Sequence, residues 1–206
     1  MAPNRCWLSL THLFIAAIAL AAAAQTAPRE PLNSERIAAK FGSYGVAVLA
    51  QDEAVRVSSL FTGSGEERIC RTFAIVRYTE RMDAGVEAEH AAIVAGGSLG
   101  AVFAAAGWEV RKTHLRYGLQ PATQRLAELM YVPEGTPLAT HVYALDVAKD
   151  GRTLEYASLV EIHHPDYLTG EELAEIYGPA DEAARPQLVA ALLATATTEV
   201  ERSASR

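Results

Sequence analysis

The segment THVYALDVAKDGRTLEYASLVEIHH, Thr140 to His164, limits the fold more than any other. Two apolar runs rich in β-branched and aromatic residues flank Asp150-Gly151. Asp-Gly is among the few dipeptides that accept positive φ at both centres of a two-residue turn, so the segment predicts a β-hairpin. Pro165 ends its second strand, because proline brings no donor to the ladder. A second pair lies upstream: AVRVSSLF and RICRTFAIVRY flank TGSGEE, where Gly63 and Gly65 supply the turn. YGVAVLA precedes that pair as an apolar strand, and WEVRKTHLRYG alternates as a strand should. Strands in adjacent antiparallel pairs, without βαβ alternation, imply an α+β domain with helices on one face of an antiparallel sheet.

Helical signals sit between the strands. NSERIAAKFGSYG carries Asn33 or Ser34 as N-cap and Gly42 near its end. AGVEAEHAAIVAGGSLGAVFAAAGW is alanine-rich and interrupted by Gly96-Gly97-Ser98, with Ser98 placed to cap a short helix from Leu99. PATQRLAELM and TGEELAEIYG read as short helices. ADEAARPQLVAALLATATTEVER reads as a C-terminal helix or helix pair with a break at Pro186.

The first residues have a different character. Arg5, an apolar run from Leu13 to Ala24 and small residues at Ala22 and Ala24 form the layout of a secretory signal peptide. The run is shorter than the roughly 20 residues of a transmembrane helix, so no stable membrane span is expected after cleavage. The expected organisation is a signal peptide over 1–24, a linker over 25–33, the folded domain over 34–180 and a helical tail over 181–206. The expected location is the periplasm or the extracellular space. Cleavage removes Cys6 and leaves Cys70, which cannot form an internal disulfide. Cys70 reads as a small buried strand residue or as a nucleophile. The net charge of −7 argues against nucleic acid as a partner, but a pocket's local charge can oppose the total.

Several chemistries lack their motifs. GGSLG is not G-x-G-x-x-G, no Walker lysine follows it, and neither H-E-x-x-H nor G-x-S-x-G occurs. His163 and His164 are adjacent, so on a strand they face opposite sides. Glu161 and His163 share a face and form half a metal site, with no third ligand at a diagnostic spacing. Accordingly, no metal and no cofactor is expected. What remains is a charged set on strands: Arg56, Arg71, Arg111, Arg116, Glu155 and Glu161. Glu161 shares a face with Ala157 and Leu159, where a carboxylate needs compensation. An arginine in the core and a ligand pocket both answer that need.

Three pieces in order, VRVSSLFTGSGEERICRT, SLGAVFAAAGWEVR and EIHHPDYL, resemble chorismate lyase over about residues 35–170. That family removes pyruvate from chorismate to leave 4-hydroxybenzoate. The resemblance implies an antiparallel sheet of about six strands, with helices covering a buried ligand pocket. Ligand-sensing domains of transcription regulators share that sheet. By the same resemblance Arg56 grips a ligand carboxylate and Glu161 faces the ring hydroxyl. Leu99 and Gly100 present backbone to the carboxylate, and Arg111 stands on the next strand. Arg71 binds a second carboxylate or neutralises Glu161. His163 is either an acid or base on Glu161's face or a strand-end histidine near solvent. The chain departs from the family at His163-His164, at Ile75-Val76-Arg77 and in carrying a signal peptide. Two functions follow: an exported lyase acting on chorismate or a close relative, or a periplasmic binding protein for a small aromatic or cyclic carboxylate without turnover.

Overall fold

A computed structural model describes residues 30–203, so the expected signal peptide and most of the expected linker lie outside the described residues. Among the described residues, six strands form one antiparallel sheet: β1 (Gly45–Gln51), β2 (Val55–Thr62), β3 (Ile69–Tyr78), β4 (Glu109–Pro121), β5 (Pro137–Lys149) and β6 (Arg152–His163). Their spatial order is β1-β2-β3-β6-β5-β4. The β5–β6 hairpin turns at Asp150 and Gly151, with φ of 51° and 77°, the double positive φ of a type I′ turn. The helices are α1 (Asn33–Phe41), α2 (Glu87–Val94), α3 (Leu99–Ala105), α4 (Gln124–Met130), α5 (Gly170–Tyr177) and α6 (Pro186–Ser203). None is long and apolar enough to cross a membrane.

Alternation along the strands sends successive side chains to two different cores. Phe73, Ile75, Val142, Val160 and Ile162 pack with Leu126 and Met130 of α4 and with Leu192 and Val200 of α6. Their neighbours Val76, Tyr143, Leu145 and Leu159 pack on the opposite face, with Ile93 of α2 and Phe103 of α3. Near the sheet's end, Ala139 packs with Ile37 of α1 and Leu173 of α5. The helices therefore cover both faces, not one. A half-apolar chain has enough hydrocarbon to bury both.

Three local expectations need correction. Helix α6 is one helix seated in the core, not a tail: Val189, Leu192, Ala196 and Val200 are buried at helical spacing. Pro186 does not break it but begins it, where its fixed φ fits and its missing N–H costs nothing. Ser98 precedes α3 yet makes no side-chain cap bond, whereas Thr123 and Thr169 do cap α4 and α5. Asn33 is the first residue of α1 and its side chain serves another purpose.

Cys70 belongs to the core shared by α4 and α6. Burial pushes its thiol up to about 12, against a smaller lowering by a hydrogen bond with Ser59. The thiolate is the reactive form, so a thiol buried and raised in this way is a poor nucleophile at neutral pH. Peptide mapping after iodoacetamide treatment at about pH 8 should find Cys70 unmodified in the native chain and fully modified in denaturant. Rapid native alkylation at Cys70 would contradict its burial.

Candidate functional site

A cavity of about 80 Å³ lies on the sheet face beneath α1 and α3. That is room for several waters, or for a small organic acid once side chains adjust. Its walls are mostly apolar: Leu32, Leu60, Ala74, Val76, Leu99, Val110, Leu145 and Leu159. Charged side chains enter at three points, Arg56 from β2, Lys112 from β4 and Glu161 from β6. Their formal sum, two positive and one negative, is +1 in a chain of net −7.

Arg56 is 3% exposed. One of its terminal nitrogens donates to the carbonyls of Ile93 (2.7 Å) and Gly97 (2.9 Å), which bracket the α2–α3 turn. Those two bonds fix the guanidinium's direction and use one nitrogen of its fork. Its Nε is buried without a hydrogen-bond partner among the described residues. Glu161 is 4% exposed, and its Oε1 accepts from Asn33 Nδ2 at 2.9 Å. The same amide nitrogen lies 3.2 Å from Thr72 Oγ1, and Asn33 Oδ1 takes a short hydrogen bond from the Tyr167 hydroxyl. The first residue of α1 thus fastens to β3, to β6 and to the loop after β6.

Leu99 and Gly100 also line the cavity. A Cβ on Gly100 would stand 2.7 Å from Leu32 Cδ2, so the glycine allows Leu32 to close over this end. Arg71, Arg111 and His163 are not among the lining residues. Arg71 sits at a bulge: Leu60 pairs with Thr72 and Phe61 with Cys70, leaving Arg71 unmatched. Its Nε donates to Thr62 Oγ1 (3.0 Å), its guanidinium lies over the Phe41 ring (4.1 Å), and Asp166 is 3.9 Å away. Neither role expected for it, a second carboxylate clamp or a partner for Glu161, matches that placement. Arg111 has a side chain 52% exposed and pairs with Glu109 at 2.7 Å. Strand alternation turns its neighbour Lys112 inward instead, with Nζ 5.5 Å from the Tyr143 ring and 5.0 Å from the Tyr177 ring.

His163 shares Glu161's face, with Nε2 3.9 Å from Glu161 Oε2. It is fully buried, not a strand-end residue near solvent, and its Nδ1 lies 3.1 Å from Thr72 Oγ1. His164 turns away, accepting from the Asp166 amide (3.0 Å) beside Arg71. Burial pushes His163 down to about 3, with Lys112 adding to the shift. Burial also holds His141 far below the ordinary imidazole range, with its neighbours His163, His114 and Lys112 adding to the shift. Both rings are neutral at physiological pH.

Sequence reasoning missed Asn33, Lys112 and His141. Asn33 reads in the sequence as linker or N-cap. Lys112 has the alternation signal in WEVRKTHLRYG, one residue from Arg111. His141 lies directly across from Glu161 in the β5–β6 register.

Fold and site together define an α+β domain with a net-positive, mainly apolar cavity on one sheet face. No family model and no curated protein matches the chain. Among solved structures, the C-terminal domain of PhnF is similar at 14% identity, over 68% of this chain and 79% of that one, with a TM-score of 0.38. A GntR-family transcriptional regulator from Enterococcus faecalis V583 matches at 10% identity, over 62% and 93%, with a TM-score of 0.36. The C-terminal domain of Yurk from Bacillus subtilis matches at 16%, over 64% and 82%, also at 0.36. Similarity at these TM-scores carries no argument about the function of this chain.

Proposed function

We propose that the cavity binds a small aromatic or cyclic carboxylate. The observation that carries this reading is the +1 lining inside a chain of net −7, set in apolar walls. Apolar walls suit a ring, and an oriented guanidinium suits a carboxylate, which it can hold bidentately. Arg56 keeps further N–H groups beyond the nitrogen engaged by Ile93 and Gly97. Lys112 supplies a second positive point for a second acidic group, the task expected of Arg71. Glu161, held by Asn33, accepts a hydrogen bond from a ring hydroxyl.

Elimination of pyruvate from chorismate is the finer form of the proposal. It rests on the sequence resemblance and on Arg56 and Glu161 meeting in one cavity. In it the protein orients the enolpyruvyl side chain over the ring, and orientation supplies most of the rate. Export belongs to the same proposal, with a mature chain starting at Gln25 in the periplasmic or secreted fraction.

Calorimetry with 4-hydroxybenzoate and a coupled pyruvate assay with chorismate test both levels. Saturable 1:1 binding supports the ligand class, and pyruvate release adds the lyase. No heat with 4-hydroxybenzoate or chorismate, and no pyruvate, would overturn the reading.

A further inference from the structure

Glu161 belongs to a second constellation behind the cavity wall. One nitrogen each of His141 and His163 and one oxygen of Glu161 lie within 4.8 Å of one another, and all three side chains are buried. Strand geometry brings them together. His141 on β5 stands opposite Glu161 on β6, and His163 follows two residues on, on the same face. His163 Nε2 and His141 Nδ1 are each buried without a hydrogen-bond partner among the described residues. A buried ring nitrogen left in that state costs about 1–3 kcal/mol unless something occupies it.

From this geometry we infer that His141, Glu161 and His163 form a binding site for a divalent first-row transition metal of the zinc type. Two imidazoles and one carboxylate are a donor set of that class, and they leave a coordination position open. The outer contacts suit the assignment. His163 Nδ1 faces Thr72 Oγ1, which fixes the ring and leaves Nε2 toward Glu161 at 3.9 Å. His141 Nε2 lies 2.9 Å from His114 Nδ1, and Glu161 Oε1 is held by Asn33 at 2.9 Å. Ligands held through their second polar atom in this way are the usual outer shell of a metal centre. Bonds of about 2.0 Å in a tetrahedron put donors about 3.3 Å apart, so the metal draws the three inward by small rotations. Lys112 is the opposing charge nearby, and Glu161 offsets it within the cluster. The site does not depend on a carboxylate ligand, although it shares Glu161 with that cavity.

Cobalt(II) titration of the full chain, purified without a histidine tag and stripped with chelator, is the test. The expected result is one equivalent bound per chain, with visible d–d bands of low-coordinate cobalt, displaced by zinc. His163→Gln and His141→Ala should each weaken cobalt binding at least tenfold while circular dichroism remains that of the parent chain. Absence of saturable cobalt binding by the parent chain overturns the proposal without reference to any variant. So does unchanged affinity in a folded His163→Gln chain. Binding of 4-hydroxybenzoate by a chain that ignores cobalt would remove the metal site and leave the cavity reading standing.

Discussion

Leu192→Ala should lower stability by about 2–5 kcal/mol, the range for truncating a fully buried leucine that leaves a cavity. Leu192 is 0% exposed, in the core that also holds Phe73, Val160 and Ile162. The other members of that core come from β2, β3, β4, β5, β6 and α4, elements that cannot all collapse toward the missing methyl groups. In a urea melt the midpoint should fall with little change in slope, as for a loss of stability within one cooperative unit. Gln187→Ala, at an exposed position on the same helix, should stay within about 0.5 kcal/mol of the parent. If Leu192→Ala behaves like Gln187→Ala, α6 is a tail after all and its packing on the sheet is wrong.

Where sequence succeeded, the information was local. Asp150-Gly151 states its own turn, and most strands consecutive in the chain pair in space, β1 with β2, β2 with β3, β4 with β5 and β5 with β6, while β3 pairs with β6 instead of β4. Arg56 and Glu161 were legible because a charge within an apolar strand is costly wherever the strand is placed. Register was not legible. Counting back from the turn, Lys149 pairs with Arg152 and Asp146 with Glu155. Continued without interruption, that count would put His141 opposite Val160, on the wrong face. A bulge between Leu145 and Asp146 shifts the ladder by one residue and brings His141 opposite Glu161. Nothing in TLEYASL announces that Tyr156 is skipped by the ladder. Arg111 and Lys112 fail similarly, because neighbours in a strand look to opposite faces and composition does not say which one faces inward. The packing of the C-terminal helix escapes the sequence for another reason: an alanine-rich stretch has a weak apolar contrast, and its buried stripe shows only against the sheet that receives it.

Arg56→Met should produce the other large effect, and it separates two roles that one side chain carries. Methionine keeps an unbranched apolar stem but removes the charge and the donors. The carbonyls of Ile93 and Gly97 then lose a charged donor in a buried setting, at a cost of about 2–4 kcal/mol. The α2–α3 turn, which those bonds tie to β2, should show faster amide exchange than the sheet. If Arg56 also grips the ligand, affinity for 4-hydroxybenzoate should fall about 10- to 100-fold, the value of a charge-assisted hydrogen bond of about 1.5–3 kcal/mol. Arg56→Lys distinguishes the roles further. It keeps the charge but offers a point donor instead of a planar fork, so it cannot serve the two carbonyls and a carboxylate together. A lysine variant with recovered stability and lost affinity places the ligand on the guanidinium fork. Lost stability with full affinity in both variants would make Arg56 a strut for the α2–α3 turn, and the anion would then have to be held from the Lys112 side of the cavity.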